Sequence, residues 1–331
     1  MTLINKKDKI FVAGHQGMVG SSICRLLKKK GYNFILKENR FYLDLKDKYA
    51  VQNWFDTNKP TVVIIAAARV GGIYANEKYP VDFILDNLKI QNNLIEQSWQ
   101  SKVKRLLFLG SSCIYPKFSK QPIKEEYLLS GNLEATNEYY ALAKITGIKL
   151  CEALRKQHDF DAISLMPCNL YGPGDNYHPK NSHVIPALIR KFYEAIKKNE
   201  KFVNCWGTGS PLREFLHVDD LANACIFALE NWDPNHPNSP RFKNGETLSY
   251  LNVGSGIDQS IKSLAIEISK IIKFKGEINW DLTKKDGTPK KLLDTSRINK
   301  LGWNTNISIK EGLDKTIKSF IEDYEKNNLR K

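Results

Sequence analysis

The chain lacks the long apolar runs that membrane spans and secretion signals require. None of its 331 residues lies in a stretch approaching the roughly 18 uninterrupted apolar residues of a spanning helix. Its first residues, Met-Thr-Leu-Ile-Asn-Lys-Lys-Asp-Lys, lack the apolar core of a secretion signal. We therefore expect a cytoplasmic protein with no membrane partner.

Cysteines are few and scattered. The six are Cys24, Cys113, Cys151, Cys168, Cys205 and Cys225. No C-x-x-C pair occurs, and the density is far below that of a disulfide-stabilised scaffold. We therefore expect free thiols and no metal site.

The charge balance is strongly positive, with a formal net charge of +14. Such an excess suits nucleic acid or an anionic metabolite. The lysines form short runs, such as Lys28–Lys30 and Lys197–Lys198, without a helix-turn-helix, zinc or RNA-binding signature. A solvated lysine-rich surface explains them. We expect no nucleic-acid partner, and the charge would help to gather a phosphorylated substrate.

A strand, a glycine turn and a helix follow one another near the start of the chain. The apolar run Lys9–Ala13 precedes Gly14-His-Gln-Gly17-Met-Val-Gly20, and an amphipathic segment covers Ser21–Lys30. Glycines at this spacing let backbone N–H groups and a helix N-terminus approach a pyrophosphate. A purely structural turn is the alternative, but this context predicts a dinucleotide-binding loop.

The choice between NAD and NADP depends on the segment after the second predicted strand, Tyr32–Leu36. An acidic residue there binds a ribose 2′-hydroxyl, whereas basic residues suit a 2′-phosphate. The segment reads Lys37-Glu38-Asn39-Arg40, in which cations flank one carboxylate. This composition favours NADP, with Glu38 as the ribose ligand if the coenzyme is NAD.

Buried strands alternate with helices over the first half of the chain. The apolar runs Pro60–Ala66, Arg105–Leu109 and Ala162–Met166 are separated by helical segments, including one at about Pro80–Gln100. This alternation predicts a parallel, doubly wound α/β sheet of the Rossmann type, which binds ligands at the carboxyl ends of its strands.

The pattern changes after residue 173. Asp175–Ser182 is a polar loop, Asn231–Glu246 is rich in Pro, Asn and charge and predicts a surface excursion, and Ile261–Lys273 predicts a helix. We expect residues 1–173 to form mainly the coenzyme domain. Residues 174–331 would form mainly a smaller α/β substrate domain, with chain crossovers between the two.

Tyr140 and Lys144 lie four residues apart in a segment of good helix formers, so they share one helix face. A free phenol has a pKa near 10, and a neighbouring ammonium lowers it toward the working range. An exposed amphipathic helix would give the same pair by chance. The predicted dinucleotide-binding loop and parallel sheet in the rest of the chain favour a catalytic role for this pair over the chance alternative.

Together these segments resemble the extended short-chain dehydrogenase/reductases and, within them, the GDP-L-fucose synthase family of 3,5-epimerase-4-reductases. The resemblance covers nearly the whole chain. Its motifs are Ala13–Gly20, Ala66–Ile73, Leu109–Pro116, Tyr140–Lys144, Asn181–Pro186, Arg213–Asp220 and Asp286–Asp294.

The resemblance implies a role for each catalytic residue. Tyr140 would protonate the C4 oxygen of a 4-keto sugar as NADPH delivers hydride. Lys144 would hold the nicotinamide ribose and lower the pKa of Tyr140, and Ser111 would bond the C4 oxygen. Cys113 and His183 would transfer protons at C3 and C5. The alternatives are a buried packing cysteine and an ordinary loop histidine.

The resemblance also implies two sets of binding residues. Those for the coenzyme are Gly14, Gln16, Gly17, Met18, Val19, Lys37, Asn39, Arg40, Asp44, Leu45, Ala66, Ala67, Ala68, Asn87, Leu109, Gly110, Tyr140, Lys144, Pro167, Asn169, Leu170 and His183. Those for the sugar nucleotide are Ser112, Asn169, Lys191, Trp206, Arg213 and Asp286. Trp206 has an alternative role as a core aromatic, and we expect a homodimer.

Three positions depart from the family pattern. Gln16 and Lys191 each replace an arginine, near the adenosine phosphate and the GDP diphosphate respectively, and Cys168 replaces a small hydroxyl residue. A lysine lacks the two-pronged geometry of arginine. The first departure weakens the case for NADP, and none affects Tyr140.

We therefore expect NADPH-dependent C4 reduction of a GDP-4-keto-deoxy sugar, with epimerisation at C3 and C5. One alternative is a stand-alone C4 reductase acting on another GDP-4-keto sugar, such as a GDP-4-keto-heptose, in the synthesis of a surface polysaccharide. Another is a non-catalytic dinucleotide sensor, which has no need of the Ser111, Tyr140 and Lys144 set.

Overall fold

The computed structural model describes residues 2–284 and 286–330, and Met1, Lys285 and Lys331 lie outside it. The strands are β1 (Ile10–Ala13), β2 (Ile35–Leu36), β3 (Val62–Ile65), β4 (Arg105–Leu109), β5 (Ala162–Pro167), β6 (Asn169–Tyr171), β7 (Phe202–Trp206), β8 (Leu212–His217), β9 (Tyr250–Val253), β10 (Asp258–Ser260), β11 (Glu277–Asp281) and β12 (Lys290–Lys291). The helices are α1 (Met18–Lys29), α2 (Lys48–Asn58), α3 (Ile73–Lys78), α4 (Pro80–Gln100), α5 (Glu138–His158), α6 (Val184–Lys197), α7 (Val218–Asn231), α8 (Ile261–Ile271), α9 (Ser296–Lys300) and α10 (Ile309–Glu325).

The larger sheet has the order β2-β1-β3-β4-β5-β9, and each neighbouring pair is parallel. Every residue of β1, β3, β4 and β5 is buried, as expected for strands covered on both faces. Helix α1 pairs with α7, and α4 pairs with α5. The predicted doubly wound, Rossmann-type α/β fold is confirmed. The strand order reverses between β1 and β3, where such sheets bind ligands.

The smaller region contains its own sheets and core. Strand β8 pairs with β6, β10 and β12, while β7 pairs with β11. Its core includes Ile189, Phe192 and Phe320. The chain nevertheless returns to the first core, because Trp232, Leu251 and other late residues pack there. The two regions are therefore interleaved in sequence.

The predicted second strand is too long. Only Ile35–Leu36 pairs with β1, while Tyr32 is buried outside the ladder. Its hydroxyl donates to the Glu230 carboxylate at 2.8 Å, and the Lys6 ammonium lies 3.5 Å from its ring centroid. These tertiary contacts, rather than strand pairing, explain why an aromatic residue occupies this position.

The predicted surface excursion after α7 begins with a buried anchor. Trp232 has no exposed surface, and its carbonyl oxygen accepts a hydrogen bond from the guanidinium of Arg105. Arg105 is itself buried at the start of β4 and needs buried acceptors. The excursion is thus fixed to the larger sheet at its first residues.

Searching the described part of the chain for a helix with the length and apolarity to cross a membrane finds none.

Candidate active site

The glycine loop leaves space only for hydrogen at two positions. Gly14 has a φ of +86°, and a Cβ atom there would lie 2.7 Å from the Ala67 backbone. A Cβ atom on Gly20 would lie 2.2 Å from the Gly14 carbonyl oxygen. Helix α1 begins directly after the turn that follows β1, at the carboxyl end of that strand, and no side chain caps its N-terminus at Gly17. The loop therefore fits a dinucleotide pyrophosphate.

Two exposed cations, Lys37 and Arg40, follow β2. The Glu38 carboxylate between them accepts a hydrogen bond from the Asn39 amide at 3.0 Å. The pKa of His15 in the glycine loop is lowered first by burial and next by the charge of Lys37, so Lys37 lies beside this loop. The two cations are available to a 2′-phosphate.

Asn87 fixes the loop that follows β3. It is 2 % exposed. Its side-chain oxygen accepts from the Arg69 amide at 2.9 Å, and its nitrogen donates to the carbonyls of Arg69 and Phe83 at 3.0 and 2.7 Å. These bonds hold the segment after Ala66, Ala67 and Ala68 in place at the end of the strand.

The remaining predicted coenzyme residues lie in the strands and helices of the larger sheet, in the loops beside them, or in β6. Gln16 is in the glycine turn, Met18 and Val19 begin α1, Asp44 and Leu45 precede α2, Leu109 and Gly110 end and follow β4, Pro167 ends β5, and Asn169 and Leu170 lie in β6.

Tyr140 and Lys144 lie on the first turns of α5, which packs closely on β4. The close approach of α5 to β4 requires glycine at position 147, since a Cβ atom on Gly147 would lie 2.5 Å from the Phe108 ring. Lys144 is 3 % exposed, and its Nζ donates to the Leu109 carbonyl at 2.8 Å. The same Nζ lies 5.8 Å from the Tyr140 ring centroid. The helix therefore aims both side chains at the carboxyl end of β4.

The electrostatics of this pair differ from the sequence-based expectation. Burial, followed by the nearby Cys113, raises the pKa of Tyr140. Burial also lowers the pKa of Lys144 to about 8. The expected lowering of the Tyr140 pKa by Lys144 is not seen in this arrangement, because the Lys144 ammonium is directed at the Leu109 carbonyl and both groups are desolvated. The phenol is held protonated.

Ser111 and Cys113 occupy the turn after β4. Ser111 caps a short 3₁₀ helix, and its Oγ accepts from the Cys113 amide at 3.3 Å. Cys113 is 6 % exposed and Ser112 is 4 % exposed. Burial raises the pKa of the Cys113 thiol, and the charge of Lys291 is the largest effect opposing that shift. The resting thiol is therefore protonated, with an ammonium near it.

His183 lies at the N-cap of α6 and is exposed. The surrounding protein still lowers its imidazole pKa by desolvation. Its loop contacts the segment after β3: a Cβ atom on Gly71 would lie 3.7 Å from the Asn181 carbonyl oxygen and 3.2 Å from Phe83. Phe83 in turn packs edge-on to Tyr140, with ring centroids 6.3 Å apart. Tertiary packing thus connects the His183 loop to Tyr140.

Lys191 and Trp206 meet in the smaller region. The Lys191 Nζ lies 5.1 Å from the Trp206 ring centroid and donates to the Asn204 carbonyl at 3.0 Å. Lys284 approaches the same ring at 5.8 Å. Trp206 is 57 % exposed, so its alternative role as a core aromatic is wrong. Its ring is an open surface flanked by cations.

Arg213 and Asp286 lie near each other. The Arg213 side chain donates to the Leu212 carbonyl at 2.8 Å, and burial lowers its pKa while Asp286 opposes that shift. The Asp286 carboxylate accepts from the Thr208 amide at 3.1 Å and hydroxyl at 2.6 Å. The structure therefore joins the loops after β7 and β11 beside β8.

Two residues with no predicted role support this site. Glu214, fully buried, accepts from the amides of Gly256 at 2.7 Å and Leu293 at 3.0 Å. It thereby fixes the segment that carries Lys291, whose backbone pairs with Arg213 in the β12–β8 ladder. Lys291 belongs to a motif visible in the sequence, but its position near Cys113 follows only from the strand pairing.

Comparisons with known proteins agree with this geometry. Residues 10–239 match the model of the NAD dependent epimerase/dehydratase family. GDP-L-fucose synthase 1 of Arabidopsis thaliana is 50 % identical over 322 residues, covering 97 % of this chain and 96 % of the relative. The GDP-L-fucose synthase of Escherichia coli (strain K12) is 49 % identical over 328 residues, covering 97 % and 98 %.

A solved structure is similar over the same length. It is a GDP-mannoheptose C4 reductase from Campylobacter jejuni with NADP bound, with a TM-score of 0.85, 36 % identity and coverage of 96 % of this chain and 99 % of that one. The full-length identity to the synthases is higher than to this reductase. The chain therefore belongs to the GDP-L-fucose synthase branch of the NAD dependent epimerase/dehydratase family.

Proposed function

We propose that this protein reduces C4 of a GDP-4-keto-6-deoxy sugar with NADPH and epimerises C3 and C5, as a GDP-L-fucose synthase. The observation that carries the proposal is the group formed by Ser111, Cys113, Tyr140 and Lys144 at the carboxyl end of β4. The full-length similarity to GDP-L-fucose synthases supports the substrate class.

The residues present fit NADPH, which when bound supplies the hydride for C4. The glycine loop presents backbone N–H groups to the pyrophosphate. Lys37 and Arg40 suit the 2′-phosphate, with Asn39 between them, and the Lys144 ammonium suits the hydroxyls of the nicotinamide ribose. The NADP in the similar reductase structure supports the same coenzyme here.

Tyr140 supplies the proton for reduction. Because burial raises its pKa, the phenol keeps its proton until the C4 oxygen gains negative charge. The Ser111 hydroxyl donates a hydrogen bond to the same oxygen. A positioned acid of this kind typically contributes on the order of 10²–10⁴-fold to the rate.

Cys113 and His183 transfer the protons of epimerisation. The C4 ketone acidifies the C–H bonds at C3 and C5, so a base on one face and an acid on the other can invert each centre through an enolate. Cys113 rests as a thiol and His183 as a neutral imidazole, given the directions of their pKa shifts. Lys291 stabilises the thiolate whenever Cys113 gives up its proton.

The GDP moiety binds at the other end of the cleft. Arg213 and Lys191 offer cations to the diphosphate, and Arg213 has the fixed donor fork that suits it. Trp206 offers an exposed ring face, and Asp286 orders the adjoining loop through Thr208. In this proposal residues 1–173 mainly bind coenzyme, and residues 174–331 mainly bind the sugar nucleotide.

An exchange experiment tests the epimerase half. The enzyme is incubated with GDP-4-keto-6-deoxymannose in D₂O without NADPH, and deuterium at C3 and C5 is followed by NMR. We expect exchange at both carbons in the wild type and none in Cys113→Ser. Cys24→Ser, a change on α1 outside this site, should exchange normally and serves as the control.

The alternative is a stand-alone C4 reductase of a GDP-4-keto-heptose. The similarity to the GDP-mannoheptose C4 reductase supports this alternative. Absence of exchange together with intact C4 reduction, once NADPH is added, would favour it over the synthase. In either case we propose that the product is used for a surface polysaccharide, such as capsule or lipopolysaccharide.

We further propose a homodimer in the cytoplasm. Val81 and Leu85 on α4 are 65 % and 44 % exposed, and Tyr139 and Leu142 on the adjoining α5 are 46 % and 38 % exposed. This apolar face suits a second copy of the chain. All six cysteines are free, which suits a reducing compartment. Leu85→Glu with Leu142→Glu should give a monomer by light scattering, and a dimer that survives both changes would rule out this face.

A further inference from the structure

The segment after α10 returns to the glycine loop. Helix α10 ends at Glu325, and Leu329 packs on the core of the smaller region. The carbonyl oxygen of Arg330 then accepts a hydrogen bond from the Tyr177 amide at 2.9 Å. These two contacts hold the backbone of this segment across the loop that follows β6.

The guanidinium of Arg330 lies over the site where a pyrophosphate would approach the backbone. A Cβ atom on Gly17 would lie 3.8 Å from Nη1 and 3.9 Å from Nη2 of Arg330. Gly17 is the residue at the N-cap of α1, and the first turn of that helix contains no acidic residue. A cation and a helix N-terminus therefore point at the same small volume.

Most donors of this guanidinium are not used by the protein. Across residues 2–284 and 286–330, its side chain makes one hydrogen bond, to the Gly174 carbonyl at 3.4 Å, and no ion pair. An arginine has five N–H donors in a planar fork that matches phosphate oxygens. The side chain is exposed, so these donors are open to a ligand.

The carboxylate of Asp175, in the loop that Arg330 contacts, does not neutralise it. Asp175 is 4 % exposed, one of its oxygens accepts from the Asn176 amide at 2.7 Å, and the other has no hydrogen-bond partner in the described residues. Burial raises the pKa of Asp175 to about 7, with Arg330 opposing the shift. Asp175 therefore attracts Arg330 to this loop without pairing with it.

The glycine loop itself offers no fixed positive charge. Between Gly14 and Gly20 the one basic side chain is His15, and its pKa is lowered. The neighbouring residue is the neutral Gln16. Lys37 and Arg40 lie after β2, which places them on the adenosine side. A coenzyme pyrophosphate would thus meet backbone N–H groups of the glycine loop but no fixed cation on the loop itself.

We propose that Arg330 supplies this missing cation, so that a side chain from the segment after α10 binds the coenzyme pyrophosphate above Gly17. The proposal rests on the coenzyme site of the proposed function and adds one residue to it. Because the pyrophosphate is common to NADPH and NADH, Arg330 should serve both coenzymes. Lys37 and Arg40 should serve only the 2′-phosphate of NADPH.

Direct binding measurements on the full chain test the proposal. The dissociation constants of NADPH and NADH are measured by coenzyme fluorescence for the wild type and for Arg330→Ala, Arg330→Lys and Lys326→Ala. Losing a charge-assisted contact should weaken both coenzymes roughly tenfold in Arg330→Ala. Arg330→Lys should recover part of the loss, and Lys326→Ala, an exposed cation on the same segment, should match the wild type.

Three results would overturn the proposal. These are unchanged NADPH affinity in Arg330→Ala, weakening restricted to NADPH, or equal weakening in Lys326→Ala. The thermal unfolding temperature of each variant without coenzyme shows whether it is folded. Failure of the wild type itself to bind either coenzyme would instead overturn the proposed function, so the two failures are distinguishable.

Discussion

The surroundings of Tyr140 and those of Trp206 differ in how far their side chains are exposed to solvent. Near Tyr140, the side chains of Lys144 and Cys113 are 3 % and 6 % exposed, and burial shifts the pKa of each toward its neutral form. At the other end, Trp206 is 57 % exposed with Lys191 and Lys284 against its ring. One end is desolvated, and the other is open and cationic.

This difference indicates how the work is divided. A desolvated site strengthens electrostatic interactions with charge that develops during the reaction. An open cationic site collects an anionic ligand with little dependence on the reaction step. Substitutions near Tyr140 should therefore act mainly on kcat, and those near Trp206 mainly on the KM of the sugar nucleotide.

Tyr140→Phe should have the largest effect. It removes the proton donor and keeps the ring that packs on Phe83, so kcat for reduction should fall by at least about 10²-fold. NADPH affinity should change little. Tyr139→Phe removes a hydroxyl from the neighbouring exposed residue and should retain wild-type kcat. Near-normal turnover in Tyr140→Phe would show that Tyr140 is not the proton donor.

Arg213→Ala should raise the KM of the GDP-sugar by roughly 10- to 100-fold, since a hydrogen-bonded charge contact is lost. The KM of NADPH should stay within about twofold, because Arg213 lies in β8 of the smaller region and not in the coenzyme-binding segments. Steady-state kinetics with each substrate varied in turn measures both values. Lys262→Ala, an exposed cation on α8, controls for net charge. Equal rises in both KM values would place Arg213 outside the nucleotide-sugar site.

The pH dependence should show the burial of Lys144. Its pKa is lowered to about 8, so kcat/KM, which reports the free enzyme, should fall about tenfold per pH unit above that value. Lys144→Arg keeps its charge and should lose this alkaline limb, at a lower absolute rate. If the fall in kcat/KM at alkaline pH persists in Lys144→Arg, the titration of another group causes it.

Stability should change in the opposite direction over the same range. Between pH 8 and the ordinary lysine value of 10.5, the unfolded chain binds more protons at this position than the folded chain. The contribution of Lys144 to the free energy of unfolding therefore rises with pH. Comparing denaturant unfolding of the wild type and Lys144→Met at about pH 7 and about pH 9, roughly one unit either side of the Lys144 pKa, isolates this contribution.

Local sequence patterns predicted the elements whose conformation depends mainly on their own residues. Strand β4 and helix α4 have the predicted bounds, because one is a continuous buried run and the other begins at Pro80. The glycine loop was predicted for the same reason, since its geometry depends on its own residues. Family motifs supplied Cys113 and His183, whose roles remain proposals.

The contacts made by distant segments were not predictable from local pattern. Tyr32 looked like part of a strand but is held by Glu230, and Trp232 looked exposed but covers Arg105. Lys291 and Arg330 reach the site by strand pairing and by the return of the segment after α10. The protonation of Tyr140 also depends on burial, which the spacing to Lys144 does not report.

Lys191→Arg should have the smallest effect and sharpens the comparison at the open end. Lys191 already lies against Trp206 and is bonded to the Asn204 carbonyl, so a guanidinium there adds only a second, parallel donor for the diphosphate. The KM of the GDP-sugar should fall about threefold, with kcat unchanged. The same exchange at the exposed Lys198, just past α6, should leave both constants unchanged. A change in kcat would instead mean that this end of the cleft takes part in the chemical step.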